Sequence, residues 1–458
     1  MALSARLFRA INAILPFWDA LYILQMEEYR VRRLFKWLPR FALRRNIARR
    51  QKLQYTSRAK TILAVSVALW IAAAAFVAAT AWPLFLRLAA IVFLCPLAHL
   101  FVAVATWALW PVHHLAASRL MRNASRAVAS RTRLRVVAIA GSYGKTTVKH
   151  LVNQLVRYTV PTQMIPGTIN TPRGIAIWIL KNLRPSTELL IVEMDAYQPG
   201  EIMQSCRIAP PDIAVVTNVG DQHLERFGSE KRLVRALNET FAFGKPNAVC
   251  VCESETFERL GRPALHNRVL RLVESGPLSY LGISIDESRM SSSTRSNARL
   301  ALAVADLLGV PERFAADACA ALELPDRRQV RIAMHGYDAI DDSYNISFNT
   351  AQAGLAAGRD LARERGKKLL VVTAGIPELG PKDQEKNRLL GALLREQADH
   401  TVILGSMFAG EIVRGMEGAA ERFTLARDLN AFLASAHASF PPSEWVLLMQ
   451  PELHDLYY

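Results

Sequence analysis

Ten residues, Ile139-Ala-Gly-Ser-Tyr-Gly-Lys-Thr-Thr-Val148, restrict the fold more than any other stretch of the chain. An apolar run, Arg135–Ala140, enters Gly141. Gly144-Lys145-Thr146-Thr147 then leads into a helical pattern carried by Val148, Leu151, Val152, Leu155 and Val156. A strand, a glycine turn and a helix N-terminus, in that order, turn free backbone N–H groups and the positive end of a helix dipole toward one anion. The predicted cradle is Gly141, Ser142, Tyr143, Gly144, Lys145, Thr146 and Thr147. Lys145 adds a point charge for terminal phosphates, and Thr146 a hydroxyl for Mg²⁺. Ile139 stands where the common phosphate-loop pattern has its first glycine, so this is the shorter Gly-x-x-Gly-Lys-Thr-Thr form.

Net charge is +16, and its distribution excludes one class of function. Residues 1–135 hold 21 Lys/Arg against 3 Asp/Glu, whereas 136–458 hold 35 against 37. A nucleic-acid binder of this basicity carries its stripes through the folded domain. Here the excess is confined to the N-terminal region, so no nucleic-acid partner is expected. Five cysteines (Cys95, Cys206, Cys250, Cys252, Cys319) make no disulfide framework. Cys250 and Cys252 alternate as in a buried strand, and the compartment reads as reducing cytosol.

Residues 1–60 combine an apolar, aromatic piece (Leu7 to Leu24) with a basic run from Arg30 to Lys52, interleaved with Trp18, Phe35 and Trp37. That composition suits a helix at an anionic membrane surface, with inner-membrane lipid as its partner. From 61 to 110 the chain is almost wholly apolar, broken at Pro83 and Arg87, and some fifty residues of helix cover about two bilayer crossings. Two transmembrane helices near 61–82 and 89–110 are predicted, joined by a tight turn. Arg58 and Lys60 before them, and Arg119, Arg122, Arg126 and Arg131 after, put both outer ends in the cytoplasm. The expected location is the cytoplasmic membrane, with everything after a linker at 111–133 on the cytoplasmic side.

Beyond 134 strands alternate with helices, the pattern of an α/β fold with a covered parallel sheet. Strands are predicted at Arg135–Ala140, Leu189–Glu193, Ile213–Asn218, Ala248–Cys252 and Val269–Val273, within a nucleotide-binding domain over 134–323. A second α/β domain over 324–458 has predicted strands at Ala333–Ile340, Lys368–Thr373, His400–Leu404 and Trp445–Met449. Polar groups cluster where the strands end, which is where doubly wound sheets bind ligands. They are Glu193 with Asp195, Asn218 through His223, Asn170 through Gly174, and Asp341-Asp-Ser-Tyr-Asn345. A carboxylate and a histidine beside a Lys-Thr-Thr loop suit a hard cation near a terminal phosphate.

Taken together these motifs resemble the Mur ligase family, and most of all its D-alanyl-D-alanine-adding, MurF-type branch. The likeness runs over about 134–450. It is carried by Gly141–Lys149, Asn170-Thr, Val192-Glu-Met, Pro199-Gly-Glu-Ile202, Thr217–Ser229, Asn297-Ala, Asp341–Asn345 and Pro377-Glu-Leu-Gly380. It implies a phosphate-loop central domain and a Rossmann-like C-terminal domain behind a two-helix membrane hairpin. It also implies ATP and Mg²⁺ as cofactors, and an acyl phosphate that an amine converts to an amide. By the same resemblance Lys145 and the loop hold the phosphates, and Thr146 helps hold one Mg²⁺. Glu193 and His223 hold a second cation, and Asn170 and Asn297 line the nucleotide. Arg327 (or Arg328), Asp342, Tyr344 and Asn345 close over it.

The departures bear on substrate. Leu237 stands where the family has a metal-binding carbamylated lysine, although Glu239 is retained. Ser293-Thr294 replaces a His-Asn pair, and Met449-Gln-Pro-Glu replaces a Lys-Gly-Ser associated with the incoming amine. A membrane hairpin occupies the place of the UDP-binding domain. The expectation is a membrane-anchored, ATP-dependent amide ligase acting on a cell-wall precursor, lipid-linked in the favoured reading, with an amino acid, dipeptide or other amine. Cell-wall enzymes are expected as neighbours. Two readings stay open beside it: a MurF acting on the soluble UDP-linked precursor, and a non-catalytic nucleotide-binding scaffold.

Overall fold

The computed structural model describes residues 12, 14–42, 53–157, 159–167, 169–221, 223–285, 290, 292–311, 313–314, 330–343, 346–405, 407–427 and 429–450. The chain divides into two compact units, one over 1–119 and one over 120–453.

In the first unit, helix Ser57–Ala78 is N-capped by Thr56, whose Oγ1 accepts from Ala59 N at 3.2 Å. This helix is long and apolar enough to cross a membrane. The second apolar stretch, expected as one span over 89–110, is instead two helices, Leu84–Leu94 and Ala98–Ala108. They meet at a 63° bend and reach a span's length and composition only together. Pro96 sits at the break, where it removes a donor and crowds the preceding turn. The expected turn is present: Pro83 precedes the second helix, and Arg87 Nη1 donates to Ala78 O at 2.9 Å. The helix Phe17–Met26 buries Leu21, Tyr22, Ile23 and Leu24 against the apolar helices, so these residues belong to the unit's interior. Glu27, also buried, accepts from Trp37 Nε1 at 2.6 Å and Arg33 Nε at 2.8 Å. Residues 111–129, expected as linker, lie within a helix, Trp110–Ala129.

The second unit is built on two six-stranded sheets. The first comprises β1 (Arg135–Ala140), β2 (Thr162–Met164), β3 (Leu189–Glu193), β4 (Ile213–Val216), β5 (Val249–Glu253) and β6 (Val269–Val273). Its order is β2-β3-β1-β4-β5-β6, all parallel. Successive side chains point to opposite faces. Val136, Ala138 and Ala140 therefore join Leu190, Val192, Ala214 and Val216 in one core, and Val137 and Ile139 join Leu189, Ile191 and Val215 in the other. Cys250 and Cys252 pack into the first of these cores, as the alternation predicts. A short hairpin, β7 (Ser279–Tyr280) with β8 (Ile283–Ser284), follows.

The second sheet has the order β13-β12-β11-β14-β10-β9. Its strands are β9 (Val330–Met334), β10 (Tyr337–Asp341), β11 (Lys368–Thr373), β12 (His400–Leu404), β13 (Phe423–Ala426) and β14 (Trp445–Gln450). The run expected as one strand over Ala333–Ile340 is a tight antiparallel hairpin, because His335 and Gly336 both take positive φ between β9 and β10. The short edge strands β2 and β13 have no clear apolar alternation, and sequence reading missed both. β4 stops at Val216, leaving Thr217 and Asn218 for the loop described below.

Helix Glu230–Ala242 packs on the first sheet through Leu233, Ala236, Leu237 and Phe241. Leu237→Ala is therefore expected to destabilise the full-length protein by roughly 2–5 kcal/mol, measured as a lowered denaturation midpoint. An unchanged midpoint would show that Leu237 is not a core residue.

Candidate active site

In the first sheet the chain leaves β1 and returns on one side at β3 and on the other at β4. Loops after β1 therefore diverge, and a crevice opens at that switch point. The loop in the crevice is built by close approach. Gly141 takes φ +136°, and a Cβ there would lie 2.0 Å from Thr217 Oγ1. Gly144 takes φ +82°, and a Cβ there would lie 2.2 Å from Asn297 Oδ1. Only glycine fits either position. Asn218 Oδ1 accepts from Tyr143 N at 3.0 Å, and Thr217 Oγ1 donates to Tyr143 O at 2.5 Å. The strand end after β4 thus shapes the cradle, and Asn297, on helix Ser292–Leu308, comes to its rim.

Behind the cradle lies a buried polar cluster. Thr146 Oγ1 donates to Glu193 Oε2 at 2.9 Å, and Asn170 Nδ2 donates to Glu193 Oε1 at 3.3 Å. Lys149 Nζ lies 2.9 Å from Glu193 Oε2 and donates to Gly167 O at 2.8 Å. Lys145 Nζ curls over the loop, donating to Gly141 O at 2.7 Å and Ser142 O at 3.2 Å, with Asp195 Oδ1 at 3.5 Å. Thr147 is buried in the same first turn.

His223 stands on the far side of Asp195, its Nε2 3.7 Å from Asp195 Oδ2 and its Nδ1 bonded to Glu378 Oε2. Burial alone would lower the imidazole's pKa, but Glu378 and Asp195 outweigh it and raise the value to about 9. For Asp195 burial acts upward. Lys145 and His223 reverse it and hold the carboxyl well below the usual carboxylate range. Burial also pushes the Tyr143 phenol up, and its hydroxyl bonds Ser347 on the second sheet's side. Asp342 follows β10 and accepts from Gln450 Nε2 at 3.0 Å, in space left by Gly354.

Residues 139–276 match the Mur ligase middle domain family. Over that stretch the chain carries a Mur ligase middle domain. The chain is 25% identical over 297 residues to the UDP-N-acetylmuramoyl-tripeptide–D-alanyl-D-alanine ligase of Bacillus subtilis, covering 60% of this chain and 64% of that one. With the Mycobacterium leprae ligase of the same name it is 28% identical over 368 residues, 69% of this chain and 70% of the other. The chain thus spans about two thirds of the length of these relatives. The crystal structure of MurF ligase from Thermotoga maritima in complex with ADP superposes with a TM-score of 0.61 at 24% identity, covering 73% of this chain and 80% of that one, and shares its fold.

The structure brings Gly141–Thr147, Asn170, Glu193 and Asn297 together, and places His223 one carboxylate away from them. Arg327, Arg328, Tyr344 and Asn345 lie outside the described residues. Thr146 and Glu193, paired oxygens at the loop, fit one hard cation. The residues expected for a second do not assemble. Both His223 nitrogens face carboxylates, Leu237 lies in the apolar core, and Glu239 accepts from Gly200 N at 2.6 Å and Met203 N at 2.9 Å, capping helix Glu201–Ile208. No group of three or more His, Cys, Asp or Glu suited to a metal occurs among the described residues. Sequence reading gave no role to Lys149, Asp195 or Glu378, although each lay inside a quoted motif or beside a strand end.

The folded pKa of His223 exceeds its ordinary 6.5, so its stabilising contribution is whole below 6.5 and is lost as pH rises through about 9. The wild-type denaturation midpoint should fall across that window relative to His223→Gln. Parallel profiles would contradict the assigned contacts.

Proposed function

We propose that the protein is a membrane-anchored, ATP-dependent amide ligase that activates the carboxylate of a lipid-linked cell-wall precursor. The observation that carries this reading is the buried junction of Thr146 and Glu193 behind the glycine loop, with Lys145 over the cradle. The names of its relatives supply the reaction class. The apolar helices and basic run of residues 1–119 support a membrane-borne acceptor.

In the reaction a carboxylate oxygen of the acceptor attacks the γ-phosphorus of ATP, the β–γ bridge breaks, and ADP departs. The amine nitrogen then attacks the acyl phosphate carbonyl. The C–O bond to phosphate breaks, phosphate leaves with the electron pair, and the amine gives up a proton. Such transfers depend on position and charge neutralisation. The loop amides bind the β- and γ-phosphates at the helix N-terminus. Lys145, held beside that cradle by Gly141 O and Ser142 O, supplies a mobile charge. Asn297 lines the rim toward the nucleoside. Mg²⁺, bound through Thr146 and Glu193, would neutralise phosphate charge. Glu193 and Asn170 orient one another across the floor, and the Tyr143 hydroxyl meets Ser347 beside it.

A second reading, a soluble UDP-linked acceptor, is favoured by the names of the relatives. Full-length protein in detergent or vesicles, given labelled ATP, candidate amines and either acceptor, should release phosphate faster with the lipid-linked one. Lys145→Ala should lower that rate by roughly 10²-fold or more. Equal rates on both acceptors would remove the lipid-linked reading, and ATP binding without turnover on any acceptor would remove the ligase.

A further inference from the structure

The loop after β11, Gly375 to Lys382, carries a motif that the reaction above leaves without a role. Its base is rigid. Asn387, fully buried, accepts from Ile376 N at 2.8 Å and donates to Ile376 O at 3.0 Å, and Asp383 Oδ1 accepts from Leu379 N at 3.0 Å. Its tip reaches from the second sheet to the loop that follows β4 of the first. Glu378 O accepts from Glu225 N at 2.9 Å. Glu378 Oε1 accepts from Arg226 Nε at 3.1 Å, with Arg226 Nη2 at 2.9 Å, while Oε2 holds His223 Nδ1. Gly380 passes so close that a Cβ would lie 2.9 Å from Glu225 Cα, and Lys382 Nζ donates to Asp221 Oδ1 at 2.9 Å.

Two residues at this junction, His223 and Glu378, take positive φ, at 57° and 62°. Backbone held in that region persists where its surroundings over-determine it, and such sites are often functional. The imidazole is fixed on three sides. Glu378 takes Nδ1, Asp195 faces Nε2, and the Tyr197 ring meets it edge-on at 4.7 Å between centroids. Arg226 closes the circle by lying 4.1 Å over the Tyr197 ring while it pairs with Glu378. A row thus runs from Glu378 through His223 and Asp195 to Lys145 at the phosphate cradle.

We propose that Glu378 is a positioning residue for the ligase reaction, fixing His223 from the second sheet and so setting the His223–Asp195–Lys145 row against the nucleotide. The proposal rests on the ligase reading. It differs from a plain interlayer salt bridge in one respect: what matters is the orientation of His223, not the strength of the contact between the sheets.

The test compares full-length wild type with Glu378→Ala, Glu378→Gln and, as a control, Lys382→Ala. The control removes a neighbouring contact of the same loop without touching His223. Acceptor-dependent phosphate release gives kcat and KM for ATP. Histidine-selective ¹⁵N spectra, assigned with His223→Gln, report the ring directly. Glu378→Ala should lower kcat by about 10²-fold, leave KM for ATP within about threefold, and shift the His223 resonance. Glu378→Gln keeps the shape and one acceptor oxygen, so it should fall between wild type and Glu378→Ala even where the alanine variant folds poorly. Lys382→Ala should keep kcat and the His223 signal. Wild-type protein without acceptor-dependent turnover would overturn the ligase reading and this role with it. An active wild type in which Glu378→Ala keeps kcat, or in which Glu378→Gln and Lys382→Ala lose it equally, would overturn the role of Glu378 alone.

Discussion

Glu193 is a carboxylate at the end of a central parallel strand, shut away from solvent. An uncompensated charge there would cost several kcal/mol, and burial is tolerable only with a partner of opposite sign and satisfied oxygens. Lys149 provides the charge, and Thr146 and Asn170 complete the hydrogen bonding. Because Thr146 and Lys149 are one turn apart on the helix after the glycine loop, this one carboxylate fixes the rotation of that helix. The direction in which the loop amides face follows from it. Asn170 ties the β2-side loop to the same point, and its carbonyl accepts from Asp195 N at 3.1 Å. The first sheet's switch point therefore becomes a shaped cradle, not merely a gap between loops.

The second sheet reaches this site by two routes of different character. Tyr143 and Ser347 make a neutral contact at the cradle itself. The loop from Gly375 to Lys382 makes a charged one, in which Glu378 and Lys382 meet His223, Arg226 and Asp221. The charged contact is partly shielded, with Glu378, His223 and Arg226 all mostly covered, so it is worth more than an exposed pair. It is also directional, since a carboxylate shared between an imidazole and a guanidinium leaves its two oxygens little freedom.

What the sequence displayed depended on the physics that each feature obeys. Central strands such as β1, β3 and β11 are continuous apolar runs, and their limits were legible to the residue. The loop glycines were legible because positive φ and close approach permit almost nothing else at Gly141 and Gly144. The β9–β10 hairpin was hidden because His335, not a second glycine, takes the first left-handed position of its turn. Edge strands β2 and β13 pair on one side only and carry mixed residues, so no alternation announced them. Glu378 and Lys149 sat inside recognisable motifs. Their partners lie 155 and 44 residues away, and such pairings are set by topology and not by spacing.

The charge balance of the site connects these parts to the missing lysine. Helix Glu230–Ala242 turns Leu237 into the core and engages Glu239 on the amides of Gly200 and Met203, so it offers the cleft no ligand. The cations around the cradle come from elsewhere: Lys145, Lys149, Arg226 and a His223 whose pKa is raised to about 9. Against them stand Glu193, Asp195 and Glu378, with Asp221 and Asp342 close by. Charges so nearly matched fall well short of neutralising a triphosphate. A divalent ion held by Thr146 and Glu193 would close part of that gap. Lys145 would have further to contribute, because two of its partners are loop carbonyls that a phosphate can outcompete for the ammonium, with Asp195 Oδ1 at 3.5 Å beside them. Lys145 thus lies over the loop where an incoming anion would be held.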